Sequence, residues 1–359
     1  MQLVTKKPIV SILSKSKNID NKQKKSKIFL SFAILTIILL IVAKPDLCIN
    51  SIYSGLSVWA KCVLPSLLPF MFFTKLLTNL NFISKITSKT HKINRLLFKA
   101  PKISSYIFLM SIISGYPVGA KLISEYHKNG LISTKQAYKL STFCSTSGPL
   151  FIIGTVGTVL FKNAKLGYII FLSHILGSIL NGILYRNFFV DDTDYFEKWD
   201  KQNNLNKQDK LKQLNAQKQN LLAESMKDTI LSVLVVGGWI AISFLIIDLF
   251  LELNIFKPLI FVLTKVFGFA GVKSETINAF LCGLLEVSKG VLELSKLNVS
   301  SLMLCTSASF LIGFGGISVF MQANTFLKDA KVSSKFYLLQ KLTHAILSAT
   351  IAFVLCIIL

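Results

Sequence analysis

The sequence predicts an all-α, polytopic membrane protein with inverted repeats, re-entrant hairpins and broken helices. Hydrophobic residues make up 52% of the 359 positions and charged residues only 16%, and the mean hydropathy is +0.59. Soluble domains of this length carry more charge, whereas proteins with several membrane spans show this composition. The third observation is a pattern of glycine, lysine and glutamate that occurs twice, about half the chain apart, in apolar sequence. This recurrence predicts an internal repeat.

Each copy of the pattern has a glycine, a lysine six residues later and a glutamate four residues after that. A cysteine with hydroxyl residues and a glycine-bearing apolar stretch then follow. The first copy comprises Gly115, Lys121, Glu125 and 144–154, and the second comprises Gly283, Lys289, Glu293 and 305–316. Charges and broken backbone are costly in lipid and usually functional. Interrupted segments at matching places in two halves indicate the binding site of a secondary transporter.

Apolar stretches of spanning or nearly spanning length divide the rest of the chain. They lie at about 28–43, 54–78, 140–161, 166–189, 229–252, 302–326 and 342–359. Two further stretches, 103–127 and 276–297, are interrupted by glycine or charge and predict re-entrant hairpins rather than straight spans. Amphipathic pieces near 86–99 and 255–272 are typical of helices that lie along the membrane interface.

Basic residues are concentrated in short segments beside the apolar spans, and the net charge is +23. With a cytoplasmic N-terminus these segments satisfy the positive-inside rule, and the two hairpins then open on opposite sides of the membrane. The first apolar run is expected to be a retained span rather than a signal peptide, because no small-residue cleavage site follows it. The predicted parts are a basic cytoplasmic N-terminus (1–27), a first transmembrane helix (28–43), a first membrane repeat (44–189), a cytoplasmic polar linker (190–228) and a second membrane repeat (229–359).

Other classes of function are not expected from this sequence. The lysines flank apolar spans, so nucleic acid is not predicted as a partner. The sequence carries no motif typical of a catalytic nucleophile, a phosphate loop or a dinucleotide fold, so we predict neither enzymatic activity nor a cofactor. The six cysteines and four histidines have no spacing typical of metal ligands or of a disulfide framework, and no metal site is predicted.

The first hairpin tip runs from Ser114 through Gly115, Tyr116 and Pro117 to Lys121. Glycine and proline interrupt the helix and free backbone N–H groups, and the next helix begins with its positive dipole end at the tip. Such a helix start, with a lysine one turn in, predicts an anion site. The alternative interpretation is a tight helix–helix turn whose lysine reaches the membrane interface.

Two broken spans complete the predicted site. In the first, clustered hydroxyl groups precede a Gly-Pro pair, and the residues are Ser145, Thr146, Ser147, Gly148 and Pro149. Unwound backbone at membrane depth usually lines a cavity, although small residues also permit close helix packing. The second stretch mirrors the first and contributes Ser307, Ser309, Gly315, Gly316 and Gln322.

Charged residues of the second hairpin could couple transport to an ion. Glu286, Lys289 and Glu293 are spaced i, i+3 and i+7, which predicts one shared helical face. Either glutamate could carry protons, and hydroxyl groups with backbone carbonyls could hold sodium. The coupling ion, sodium or proton, stays open at this point.

The motifs resemble the YlbJ (SpoVV) family of sporulation integral membrane proteins. The residues that carry the resemblance are 114–121, 129–132, 144–157, 283–289 and 313–322. The family belongs with nucleoside-recognition (Gate) membrane domains, which are similar to concentrative nucleoside transporters. The resemblance covers nearly all of the chain after the first span. It implies two hairpins and two broken helices around a site at the membrane midplane.

The resemblance also implies a role in spore development in endospore-forming Firmicutes. Family members are implicated in moving dipicolinic acid out of the mother cell across the outer forespore membrane, which spore core and cortex maturation require. Carried over to this sequence, the substrate-binding candidates are the two tips and the two broken spans. From their charge we expect Lys121 and Lys289 to pair with the substrate carboxylates.

We therefore expect a multi-pass membrane transporter for a small organic anion, working by alternating access within the lipid bilayer. The expected location is the cell membrane or the outer forespore membrane of the mother cell. Two alternatives remain open: a transporter for nucleosides or other small metabolites, and a membrane scaffold for cortex assembly that recruits proteins through the linker. A homo-oligomer is also compatible with the relatives named.

Overall fold

The computed structural model describes residues 27–28, 30–79, 92–191 and 221–359, and it contains no strand among them. All but the last residue of the predicted basic N-terminus (1–27), and residues 192–220 of the predicted polar linker (190–228), lie outside the described residues. The chain divides into two compact units, residues 1–51 and 52–359. The all-α class predicted from composition agrees with the helical structure of the described residues.

The first unit contains α1 (Leu30–Ala43) and the first turns of α2 (Pro45–Val58). Pro45 suits the start of α2 because a first-turn backbone N–H has no helical partner that proline would remove. Asp46 follows in the first turn, where the positive end of the helix dipole favours a carboxylate.

In the second unit, α2 runs through a π-helical turn into the next helix, and further helices follow with short connections. They are the π-turn Trp59–Val63, α3 (Leu64–Asn79), α4 (92–98), α5 (Ser104–Ser114), α6 (Val118–Lys128), α7 (Thr134–Ser141), the π-helix Leu150–Leu160 and α8 (Ala164–Leu184). The later helices are α9 (Leu221–Glu252), α10 (Lys257–Phe267), α11 (Ser274–Leu285), α12 (Val287–Ser295), α13 (Ser301–Phe314), α14 (Gly316–Asp329) and α15 (Ser334–Ile358).

Five helical stretches of the described chain are long and apolar enough to cross a membrane. They are Pro45–Leu77, Ala164–Leu184, Leu222–Glu252, Ser301–Asp329 and Ser334–Ile358. Helix α1, helix α5 and the π-helix are apolar but shorter. The stretch predicted at 140–161 is not one continuous helix, because α7 ends at Ser141 and the π-helix begins at Leu150. Proline and glycine at 148–149 account for the interruption.

The two predicted hairpins are pairs of helices with very short connections. Helices α5 and α6 are joined by Gly115, Tyr116 and Pro117, and Gly115 has a φ of 75°, which favours glycine. Helices α11 and α12 are joined by Glu286 alone, with an extended backbone at φ −141° and ψ 114°. We call 115–117 the first tip and Glu286 the second tip.

Two interruptions lie opposite these tips. The first break, residues 142–149, separates α7 from the π-helix. The second break is Gly315, which lies between α13 and α14 with a φ of 86° and is followed by Gly316 at 76°. Since positive φ is strained for residues with a Cβ, the two glycines allow α14 to begin directly where α13 ends.

Buried apolar side chains form two clusters around the tips and breaks. The larger one joins α3, α5, α6, α7 and α9 with parts of α14 and α15. The other joins the π-helix and α8 with α11, α12, α13 and α15. Glycines allow close backbone approach between these elements: a methyl group at Gly119 would lie 1.8 Å from the carbonyl oxygen of Cys144.

The contact at Gly119 makes a testable prediction. Gly119→Ala should destabilise the folded protein by about 1–3 kcal/mol, because the backbone of the first break must move to admit the methyl group. Gly238→Ala is the control, since Gly238 lies within α9 and has open space around it. Thermal midpoints of the detergent-purified variants, measured by loss of the monodisperse chromatographic peak, give the comparison. A midpoint for Gly119→Ala equal to that of Gly238→Ala would contradict the packing described.

Candidate functional site

Both tips and the first break border one small cavity, which we call the tip cavity. Its volume is about 60 Å³, and its lining comes from α3, the π-turn, α9, both tips, the first break, the starts of the π-helix and of α12, and the part of α14 that follows the second break. The polar side chains of the lining are Ser66, Tyr116, Ser147, Glu286, Ser288 and Gln322. Because a water molecule takes up roughly 30 Å³ of liquid, the cavity in this conformation holds waters rather than a metabolite.

The first tip packs directly on the first break. A methyl group at Gly115 would lie 2.7 Å from the backbone nitrogen of Gly148, so both the conformation and the contact require glycine. Thr146 donates from its hydroxyl to Ser111 Oγ on α5 at 3.1 Å. The loop that interrupts the apolar span is therefore covered by hairpin backbone.

The second tip packs on the second break in the same manner. A methyl group at Gly316 would lie 3.1 Å from both the carbonyl oxygen of Leu285 and the nitrogen of Val287. These two residues flank Glu286, so the start of α14 abuts the point where α11 gives way to α12. Each interruption is thus closed by the hairpin of its own half of the chain.

A buried lysine connects the two halves. Lys341 on α15 is fully buried, and its Nζ donates to the Tyr116 hydroxyl at 2.7 Å and to the Ser145 carbonyl at 3.3 Å. The Tyr116 hydroxyl in turn donates to the carbonyl oxygen of Ile312 near the end of α13 at 3.0 Å. Tyr337 shares a 2.8 Å hydrogen bond with Ser145 Oγ. The first tip is thereby held between the first break and α13, the helix that ends at the second break.

Two buried histidines lie behind the first break. The backbone nitrogen of Ser147 donates to Nε2 of His174 at 2.8 Å, so this nitrogen of His174 is an unprotonated acceptor. Nε2 of His344 lies 3.1 Å from the carbonyl oxygen of His174, and the centroids of the two imidazole rings are 4.8 Å apart. The backbone at Ser147, which lines the tip cavity, is therefore fixed by a side chain from α8.

Glu286 is the acidic residue of the tip cavity. Its side chain is 1% exposed, and Oε1 accepts from the Ser288 backbone nitrogen at 3.0 Å, which caps α12. Oε2 is buried without a well-formed hydrogen bond to any described residue, although the side chain of Ser318 lies beside the carboxyl group. One oxygen of this carboxyl group is thus available to a solute or water.

The helical face predicted to be shared by Glu286, Lys289 and Glu293 is wrong for Glu286, whereas Lys289 and Glu293 lie one turn apart on α12. Glu286 precedes α12 in an extended conformation, because the hairpin turns at this residue. Glu293 pairs with Lys296 at 2.8 Å at the protein surface. Lys289 instead forms an ion pair with Asp248 on α9 and lies over the Phe244 ring at 4.7 Å.

The predicted site residues fall into three groups by location. The tip cavity is lined by Gly115, Tyr116, Ser147, Gly148, Glu286 and Gln322. Beyond the lining, the tips and breaks contain Pro117, Ser145, Thr146, Pro149 and Gly315, and the helix ends next to them contain Ser114 and Gly316. The residues outside both the lining and these interruptions are Lys121, Lys289, Glu293, Ser307 and Ser309.

The serines of the last group lie within α13, because the second break comes later in the span than the first. The repeat pattern aligned Cys144 with Cys305, but Cys144 lies within the first break and Cys305 within a helix. Sequence reasoning missed Lys341 and Tyr337, which hold the first tip, and it missed Ser66 and Ser288 in the lining. A lysine in an otherwise apolar span is a signal that could have found Lys341.

The helices long enough to span, together with the polar cavity between two helical hairpins, define a multi-pass integral membrane protein. The chain is 26% identical over 323 residues to the sporulation integral membrane protein YlbJ of Bacillus subtilis (strain 168). The aligned region covers 88% of this chain and 79% of that protein. This similarity supports the assignment to the YlbJ family that the motifs predict. Together with the apolar helices, it supports a sporulation membrane protein. No family model matches the chain, and no solved structure matches it.

Replacing the buried lysine should separate function from stability. Lys341→Met keeps the side-chain volume and removes a buried charge, and the relief of its desolvation cost offsets the loss of the hydrogen bonds to Tyr116 and Ser145, so we expect a thermal midpoint close to that of the wild type. The first tip is then no longer held in position, and this misplacement should lower transport by at least about tenfold.

Lys335→Met is the matched control, because Lys335 is exposed on the same helix. Transport per folded molecule and thermal midpoint should be measured for both variants. Wild-type transport by Lys341→Met would show that the lysine does not hold the first tip in its working position.

Proposed function

We propose that this chain is a secondary transporter that moves a small organic solute through the tip cavity by alternating access, and that dipicolinic acid is its substrate during sporulation. The observation that carries the proposal is the convergence of both tips, the first break and α14 on one cavity whose lining contains hydroxyl, amide and carboxyl groups. Irregular backbone within a membrane is tolerated where it lines a cavity or is buried in protein. Three interruptions of the helical backbone around one cavity favour a transport site over a purely structural arrangement.

The two hairpin lysines support an inverted arrangement of the two halves. Lys121 on α6 donates to Ser232 Oγ at 3.1 Å, and Lys289 on α12 pairs with Asp248. Ser232 and Asp248 both lie on α9, sixteen residues apart, which is about 24 Å along the helix. The two hairpins therefore contact α9 at well-separated levels, as hairpins that open on opposite sides of a membrane would.

The chemistry of the lining suits a solute with carboxyl or hydroxyl groups. Tyr116, Ser147 and Gln322 supply hydroxyl and amide groups, and α6, α12 and the π-helix begin beside the cavity, where the positive ends of their helix dipoles favour negative charge. None of the described lining residues is lysine or arginine. A dicarboxylate would be bound by these neutral donors, with Lys341 directly behind Tyr116.

The tip cavity is smaller than a pocket that binds a metabolite. Pockets that bind metabolites measure about 300–1,000 Å³, and the tip cavity measures about 60 Å³. The tip cavity must therefore open when the solute enters. The hairpins are the elements that would move, because each is joined to its break by packing at glycine.

A transporter for nucleosides or other hydroxyl-rich metabolites is the second candidate. The observation in its favour is the position of Glu286 and Gln322 in the same lining. A carboxylate accepts hydrogen bonds from sugar hydroxyls, and it repels a dianion unless it carries a proton. A nucleoside would therefore present hydroxyl hydrogen-bond donors to Glu286, whereas dipicolinate would present carboxylate acceptors.

Flux into proteoliposomes tests the proposal. We expect uptake of labelled dipicolinate by the wild type, no inhibition by excess uridine, and at least about tenfold lower uptake by Gln322→Leu, which removes an amide from the lining at nearly constant volume. Met321→Leu should behave as the wild type, because Met321 is exposed on the same helix. Proton and sodium gradients are imposed separately to identify the coupling ion.

Other outcomes would redirect the assignment. Dipicolinate uptake that uridine blocks would favour the nucleoside candidate. Folded protein that transports neither compound under either gradient would contradict the transporter and favour the scaffold.

A further inference from the structure

A second, larger cavity adjoins the tip cavity. It measures about 240 Å³, and its wall is formed by the first tip, α6, α9 and α14, with Met71 of α3 at one side. We call it the vestibule. Its wall is mainly apolar, and its polar side chains are Lys121, Ser232, Gln322 and Thr325.

Two side chains belong to both the vestibule and the tip cavity. Val236 on α9 and Gln322 on α14 line both spaces, and both are buried. The two spaces therefore meet at one apolar and one amide side chain, which suits a barrier that a polar solute displaces.

The other end of the vestibule is charged. Lys121, Val118, Met71 and Ser232 line both the vestibule and a recess of about 40 Å³. The recess also contains Lys75, Glu125 and Asp228, and it lies at the second turn of α9, immediately after the linker. The vestibule therefore leads from the linker side of the protein to the tip cavity.

Lys121 is the cation best placed to meet a solute at this end. Lys75 is paired with Asp228 at 3.4 Å, whereas Lys121 donates to the neutral hydroxyl of Ser232. Among the described residues no carboxylate lies within ion-pair distance of the Lys121 amine. Since an ammonium group has three N–H donors, Lys121 has capacity for a carboxylate.

We propose that the vestibule is the route by which a carboxylate solute reaches the tip cavity from the linker side, with Lys121 as the attracting charge at its mouth and Val236 with Gln322 as its inner barrier. This inference rests on the proposed transport function and assigns Lys121 to entry rather than to the binding cavity. Attraction by a fixed charge in a low-dielectric cleft raises the local concentration of an anion.

Charge-selective cysteine modification tests the route without requiring transport. Val319 lines the tip cavity, and Val319→Cys places a thiol there. The protein in lipid nanodiscs is treated with the negatively charged sulfonatoethyl or the positively charged trimethylammonioethyl methanethiosulfonate. Mass spectrometry of the peptide that bears residue 319 gives the rate, which excludes signal from the native cysteines.

We expect Lys121→Gln to lower the ratio of the anionic to the cationic reaction rate by at least about threefold. Lys128→Gln should leave the ratio unchanged, because Lys128 lies on the same helix, pairs with Asp329 at the surface and lines neither cavity. Val236→Trp should slow both reagents, and Val236→Ala should accelerate both.

Three results would overturn the inference. They are a ratio that Lys121→Gln does not change, rates that do not respond to the size of residue 236, and a thiol at 319 that stays unmodified even with Val236→Ala. Modification as expected in a protein that transports neither dipicolinate nor uridine would leave the route standing and contradict the proposed function instead.

Discussion

The fold depends on one constraint: backbone that leaves a helix within a membrane must find its hydrogen-bond partners in protein, because lipid offers none. At the two tips and the two breaks of the described chain the backbone leaves the helix, and each tip lies against the break of its own half. Glycine makes these contacts possible, since Gly115, Gly119 and Gly316 allow backbone to meet backbone at distances that a Cβ would prevent. The tip cavity follows from the same constraint, because both tips and the first break leave some of their polar groups facing a shared space.

A second layer of polar contacts fixes this arrangement. Lys341, Tyr116 and Ser145 form a buried chain of hydrogen bonds between α15, the first tip and the first break. His174 accepts a hydrogen bond from the backbone nitrogen of Ser147, which lines the tip cavity. Buried polar networks are stable only when their members are satisfied, so the contacts also limit how the tip can move. A transport cycle that opens the cavity must either move these hydrogen-bonded residues together or replace their hydrogen bonds with new ones.

Much of the architecture could be predicted from the sequence. Composition predicted an all-α membrane protein, and glycine, proline and charge marked both hairpins and the neighbourhood of both breaks. The sequence did not predict at which residues of the second half the hairpin turns and the span breaks. Gly115 forms a turn, whereas Gly283, its counterpart in the repeat pattern, lies within α11, where the nearest atoms to an added methyl group belong to Leu311. Spacing along the chain does not reveal which glycine provides a turn and which provides close packing.

The charged residues show the same limit. The sequence marked Lys121 and Lys289 as unusual, but their partners Ser232 and Asp248 lie on a helix far away in the chain. Glu286 was placed on a helical face because i, i+3 spacing assumes an unbroken helix, and the turn at this residue removes that assumption. Lys341 was overlooked because its role depends on Tyr116, which is 225 residues away.

The central claim is that one cavity, formed by both hairpins, carries solute by alternating access. Counterflow tests it most directly: proteoliposomes loaded with unlabelled dipicolinate are diluted into a trace of labelled dipicolinate with no ion gradient. The account predicts a transient accumulation of label above its equilibrium level, because a site that opens to one side at a time exchanges solute for solute. Label that only rises to equilibrium, or that does not enter vesicles containing folded protein, would contradict it.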